Sequence, residues 1–89
     1  MVSCSVTIIN PLGLHARAAA RFVSVASQFK SQITVTRAAR TVDGKSILGL
    51  LLLAAARGTE LGIAANGPDE AAALEALCGL IDRGFEDHA

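Results

Sequence analysis

His15 and Arg17 stand two residues apart, just after the turn-forming stretch Asn10-Pro11-Leu12-Gly13 and at the head of an alanine-rich segment. An imidazole at the start of a helix faces backbone N–H groups without helical partners and the positive end of the helix dipole. That setting favours a neutral ring with a nitrogen lone pair available, and it favours an anion arriving on that nitrogen. Arg17 adds a permanent charge whose forked donors match phosphate oxygens. The pair reads as a phosphoryl site, with His15 the nucleophile and Arg17 the stabilising cation. On these residues alone, a helix-capping or solvated histidine is the plainer alternative.

Ser46 is the second candidate. It precedes the apolar run Ile47-Leu48-Gly49-Leu50-Leu51-Leu52-Leu53, where a serine caps a helix by accepting an amide of the first turn. A capping serine is also open to modification, and a phosphate there would gain from the helix dipole while charging the neighbouring surface. Gly44-Lys45-Ser46 echoes the end of a phosphate-binding loop. That pattern needs a glycine five residues before Gly44, and Ala39 occupies the place. Without a strand-loop-long-helix context, nucleotide binding is rejected. The run itself is apolar almost all the way round. Leu50 and Leu53 can face inward, which leaves Ile47, Leu48 and Leu51 on or near the surface. It reads either as a helix wedged in the core or as a docking patch.

The elements that must position these residues follow from periodicity. Val2 to Ile8 alternates apolar and polar residues, as a half-buried strand does. Ala16 to Phe29 is an amphipathic helix with Ala18, Phe22, Ala26 and Phe29 at helical spacing. Gln32 to Thr36 alternates again, and Arg37 to Arg40 turns the chain into a short strand around Thr41 and Val42. A helix is predicted over Ile47 to Ala56, ended by Arg57-Gly58. Glu60 to Ala65 is the fourth strand. Gly67-Pro68-Asp69-Glu70 starts the last helix, whose apolar stripe is Leu74, Leu77, Cys78, Ile81 and Phe85 and whose end is marked by Arg83 and Gly84. The order is β-α-β-β-α-β-α. Alternating strands imply one covered and one wet face, hence a mostly antiparallel four-stranded sheet with helices on a single side, an α+β domain. A ferredoxin-like split arrangement fits the first six elements almost as well.

Composition narrows the function classes. The 89 residues point to a single domain spanning 1–89. Hydrophobic residues at 52% exclude a disordered chain. Eight basic and eight acidic residues cancel, and the only aromatics are three Phe, so neither an attracting field nor stacking rings favour nucleic acid. The longest apolar run, Ile47 to Ala56, is well short of the ~18 residues of a membrane span. One bridge between Cys4 and Cys78 is conceivable, but no secretory signal or disulfide-dense pattern is visible, so two buried free thiols in a reducing cytoplasm are expected. There is no Cys-x-x-Cys, and His15 and His88 have no ligand at metal-binding spacing. No metal or cofactor is therefore expected. So small a domain with no paired carboxylates is not expected to be a self-contained enzyme.

Gly13-Leu14-His15-Ala16-Arg17 followed by Asp43-Gly44-Lys45-Ser46-Ile47-Leu48-Gly49-Leu50 resembles HPr, the histidine-containing phosphocarrier family of the phosphoenolpyruvate-dependent phosphotransferase system. The similarity runs along nearly the whole chain, including Ala54-Ala55-Ala56-Arg57-Gly58-Thr59 and Gly67-Pro68-Asp69-Glu70. It implies an open-faced β-sandwich with three helices on one face. It implies that His15 takes a phosphoryl group on Nδ1 from phosphorylated enzyme I and hands it to IIA-type acceptors, with Arg17 stabilising the phosphate. Ser46 matches the regulatory serine phosphorylated by HPr kinase/phosphorylase in bacteria that have one. Ile47, Leu48 and Leu51, with Ala20 and Ser24 of the first helix, match the docking patch. The resemblance further implies a cytoplasmic, monomeric carrier without membrane insertion. Many relatives carry Pro at the position of Ala18, a polar residue at Leu12, and Met at Leu48 and Leu51. Ala18 and the tail Arg83-Gly84-Phe85-Glu86-Asp87 look closest to the proteobacterial members. Some of these serve a nitrogen-type regulatory phosphorelay, and a regulatory module working through Ser46 and the patch is the alternative reading.

Overall fold

Three of the four strands alternate buried or half-buried with exposed or less buried residues as their sequences require, and the short strand around Thr41 and Val42 half-buries Val42 alone. The computed structural model describes residues 1–86, which places His88 and Asp87 outside the described residues. The elements are β1 (Val2–Thr7), α1 (Ala16–Ala26), β2 (Gln32–Arg37), β3 (Arg40–Asp43), α2 (Ile47–Leu52), β4 (Glu60–Asn66) and α3 (Glu70–Asp82), followed by a short turn at Gly84–Glu86. The sheet order is β1-β4-β2-β3 and every pairing is antiparallel. In register, Cys4 faces Ile63, while Val35 faces Ile63 on one side and Val42 on the other. This order centres β4 and β2. A ferredoxin-like sheet would centre the first and third strands, so the split alternative is set aside.

Ile33, Val35, Leu61, Ile63 and Ala65 leave the sheet on its covered face and are fully buried. They meet Ala18, Ala19, Phe22 and Ala26 of α1, Leu50 of α2, and Ala73, Leu77, Leu80 and Ile81 of α3 in one core. α3 lies over β1 and β4, and α1 packs between α3 and α2. Alanines on the inner side of α1 let it approach closely, and Phe22 fills the depth beneath it. The α+β sandwich with three helices on one face is thus as expected.

Four local expectations are corrected. The first helix ends at Ala26 rather than Phe29. The chain tightens there, with Gln28 N–H donating to the Val25 carbonyl and Phe29 N–H to that of Ala26, a common way to close a helix. The second helix ends at Leu52 rather than Ala56. Ala54 takes a left-handed conformation (φ +50°), and the Leu52 and Leu53 carbonyls are drawn out by the Arg40 and Arg37 guanidiniums at 2.9 Å. Gly58 is accordingly no helix stop. It turns the chain into β4 and donates its N–H to the Ile8 carbonyl at 2.8 Å. The buried stripe of α3 runs through Ala73, Leu77, Leu80 and Ile81, with Leu74 and Cys78 only half-buried at its margin. A small residue at 73 lets the helix axis settle nearer the sheet on that side.

The fourth correction concerns the cysteines, which are neither free nor fully buried. Cys4 of β1 and Cys78 of α3 form a disulfide across 74 residues of chain. Each lies on the inner side of its own element, and the packing of α3 over β1 brings them together. Sequence separation carries no trace of that.

Candidate functional site

The loop before α1 is built to hold one residue in place. Gly13 N–H donates to the Asn10 carbonyl (3.1 Å), and the buried Asn10 side chain returns a bond from Nδ2 to the Gly13 carbonyl (2.7 Å). Leu14 is buried, and its N–H donates to the Ala55 carbonyl at 2.8 Å. Gly13 has φ +66°, and a Cβ on it would stand 2.5 Å from the Ala55 oxygen. Only glycine fits both the left-handed backbone and the close approach of the chain beyond α2. The turn therefore delivers the next residue, His15, in one orientation.

His15 is the N-cap residue of α1, in extended conformation (φ −81°, ψ 179°). Its carbonyl takes the first helical bond, from Ala19 N–H at 2.8 Å. Its imidazole makes no capping bond to the helix, so the ring is not used as a cap. The ring is half-buried at the positive end of a helix of 11 residues, where amide donors and dipole favour an incoming anion. Arg17 is exposed one residue into the first turn. Arg17, Ala20, Arg21 and Ser24 recur at i, i+3 and i+4 spacing, and all are exposed, so they form one outer strip of α1 beginning beside His15.

Ser46 caps α2 as expected: its Oγ accepts from Gly49 N–H at 3.0 Å. The approach to it is tightly tied. Lys45 N–H donates to Asp43 Oδ1 (2.9 Å), Ser46 N–H to the Asp43 carbonyl (3.2 Å) and Lys45 Nζ to the Phe29 carbonyl (2.7 Å). A Cβ on Gly44 would lie 2.5 Å from Ile33 Cγ2. The glycine is there for packing, the lysine to bind the end of the α1 segment, and the serine to cap. These contacts account for the Gly-Lys-Ser triplet without a nucleotide.

α2 is neither wedged in the core nor wholly superficial. Leu50 and Leu53 are buried, as the spacing predicts, and Leu51 is half-buried. Ile47 and Leu48 remain 42% and 69% exposed. Because α2 packs beside α1, these side chains and the α1 strip belong to adjoining surfaces. Two exposed leucines are missed by the sequence reading as members of this region. Leu52 is 57% exposed one turn after Leu48, on the same face by i,i+4 spacing, a signal already present in the sequence. Leu12, 59% exposed, projects from the loop that carries His15. Arg21 has a role with no local signal. Its Nη1 donates to the carbonyls of Phe85 (2.7 Å) and Glu86 (2.8 Å), fixing the end of the fold against α1.

Among the described residues no cluster of His, Cys, Asp and Glu is arranged to hold a metal ion, and no helix is long and apolar enough to cross a membrane.

Comparison with known proteins agrees with this geometry. Residues 2–83 match the family described as PTS HPr component phosphorylation site. Phosphocarrier protein HPr of Neisseria meningitidis serogroup A is 52% identical over 85 residues, covering 96% of each chain. Phosphocarrier protein NPr of Shewanella violacea is 42% identical over 82 residues, covering 92% of this chain and 90% of its own. The crystal structure of HPr-C-His from Thermoanaerobacter tengcongensis superposes with a TM-score of 0.95 at 40% identity, over the whole of both chains. With the open-faced sandwich, the glycine turn and a histidine at the head of α1 all in place, the chain belongs to the HPr family of phosphocarrier proteins of the phosphotransferase system.

Proposed function

We propose that this protein carries a phosphoryl group on His15, received from phosphorylated enzyme I and passed to IIA-type acceptor domains. The observation that carries the reading is His15 at the N-cap of α1, the positive end of an 11-residue helix, on a turn closed by Gly13, Asn10 and Ala55. In the first step the Nδ1 lone pair of His15 attacks phosphorus in line, and the phosphorus bond to the donor's histidine breaks. The N–P bond of His15 breaks in turn when an acceptor histidine attacks. Arg17 neutralises charge on the equatorial oxygens, and the first-turn amides add donors. Docking supplies the alignment, so the carrier needs no substrate pocket and turns over nothing by itself.

Ile47, Leu48 and Leu51, with Ala20 and Ser24, form the docking surface in this reading. A mostly apolar patch of modest size suits partners that must leave quickly. Phosphorylation of Ser46, by a kinase of the HPr kinase/phosphorylase type, would replace its cap hydroxyl by a dianion at the edge of that surface and weaken docking. The NPr relative favours one second reading, a carrier in a nitrogen-type regulatory relay.

The test is incubation with enzyme I, phosphoenolpyruvate and Mg²⁺, followed by intact mass and acid treatment. A gain of one phosphate, lost in acid and absent from a folded His15→Ala variant, is the expected result. Phosphate still relayed by His15→Ala would remove His15 from the mechanism. No gain by correctly folded protein with its own enzyme I would transfer the role to Ser46 and the apolar surface.

A further inference from the structure

We propose that Cys4 and Cys78 form a reversible redox site, separate from the phosphoryl site, at which a dithiol reductant or a small disulfide sets how firmly β1 is held. The two sulfurs are bonded, and each residue is half-buried rather than enclosed. An open, almost wholly apolar concavity of about 290 Å³ lies over them, lined by Val2, Cys4, Ala71, Leu74, Glu75 and Cys78. An attacking thiol therefore has a path to the bond, which a core disulfide lacks.

The bond is placed where its state has a structural effect. β1 is an edge strand whose sheet partner is β4. Cys4 sits in the middle of β1, and Cys78 lies in the third turn of α3. Oxidised, the pair couples the edge strand covalently to the helix above it. Reduced, β1 keeps its ladder to β4 and the ion pair between the Met1 amino group and Glu70 at 3.1 Å. The fold survives reduction because its main core, from Phe22 and Ile33 to Leu77 and Ile81, does not depend on the sulfurs. The Cα atoms stand 7.4 Å apart, wider than the roughly 4.4–6.8 Å usual in disulfides.

The exchange is balanced as follows. A thiolate of the dithiol attacks one sulfur, a mixed disulfide forms, and the other cysteine leaves as thiolate and takes a proton. The second thiol of the reductant then attacks the mixed disulfide. The protein gains two electrons and two protons, and the dithiol becomes a disulfide. Oxidised glutathione runs the reaction in reverse, its two sulfurs taking the electrons.

The experiment uses the full chain, equilibrated under native conditions with millimolar dithiothreitol or with oxidised glutathione. Free thiols are then counted by alkylation and intact mass, and each form is melted and followed by amide hydrogen exchange. We expect two thiols after reduction and none after reoxidation. We expect the reduced form to be folded but to melt at least about 10 °C lower, since a bridge over so long a loop is a strong constraint on the unfolded chain. The added exchange should be concentrated in β1. A Cys4→Ser variant should melt like the reduced form and ignore either reagent. Three results would overturn the proposal: failure of oxidised glutathione to close the bond in folded protein, a bond that opens only in denaturant, or identical melting and exchange in the two states.

Discussion

Replacing Gly13 by alanine tests whether the turn, and not just the histidine, makes this a phosphoryl carrier. The new Cβ would lie 2.5 Å from the Ala55 carbonyl oxygen and 2.9 Å from Ala56 Cα, where ordinary contact begins at 3.4 Å. Both atoms are backbone, so relief requires one strand of chain to move by about 1 Å. The Ala55 oxygen also takes the Leu14 N–H bond, and displacement opens it. A left-handed alanine costs about 1 kcal/mol, and a weakened buried hydrogen bond costs roughly 1–3 kcal/mol more. The sum, about 2–4 kcal/mol, corresponds to a fall in Tm of roughly 10–25 °C for a domain of this size. A reacting group misplaced by about 1 Å loses up to ~100-fold in rate. Rapid-quench measurement of transfer from phosphorylated enzyme I should therefore show a drop of roughly 10–100-fold. Calorimetric titration of docking should change little, because Leu48 and Ser24 are untouched. Gly58→Ala is the control: φ is +90° there, but nothing lies within 4 Å of the added carbon. It should cost only the backbone term, about 1 kcal/mol, and leave the transfer rate alone. A Gly13→Ala protein with unchanged rate and Tm, or a Gly58→Ala protein equally impaired in transfer, would refute the reasoning.

Leu48→Ala and Leu50→Ala should separate docking from folding. Leu48 is 69% exposed and Leu50 is fully buried, so the first should weaken enzyme I binding by about 5–30-fold at nearly unchanged Tm. The second should cost about 2–5 kcal/mol of stability in denaturant titration. Ser46→Ala removes the bond to Gly49 N–H. It should lower stability by about 1 kcal/mol without weakening docking, whereas a Ser46→Asp variant should keep a cap and bind partners less well. Acid denaturation should report on the start of α3. Asp69 is held below the ordinary carboxylate range first by the Ser31 hydroxyl and then by Lys30 N–H, and Glu70 by Gly67 N–H and the Met1 amino group. Their folded-state values lie below the unfolded ones, so the stability they add is complete above the unfolded carboxylate range and lost as pH falls through the folded values. Urea midpoints should accordingly decline below about pH 5, and Asp69→Asn should flatten that decline.

Much of the site was legible because its signals are local. A glycine before His15, a serine before an apolar run and a Pro-Asp-Glu helix start each act through the next few amides, and each is found where periodicity and capping place it. The errors fall where a distant segment decides. α2 is shorter than its apolar run because Ala54 turns left-handed and Arg37 and Arg40, on the β2–β3 hairpin, bind its last carbonyls. Arg21 has an ordinary place on the outer strip of α1, and only the return of the chain end to that strip gives it Phe85 and Glu86 to hold.

The sequence by itself determined the order of elements, the inner and outer faces of each strand, the cap at Ser46 and the placing of His15 at a helix head. These depend on alternation, helical spacing and turn chemistry within a few residues. Tertiary structure alone decided the strand order, the depth to which α2 sinks, and the closing of the Gly13 turn by Ala55. It also decided the meeting of Cys4 with Cys78. Each of these joins residues far apart in the chain, and the packing energy that selects such partners is a property of the whole core.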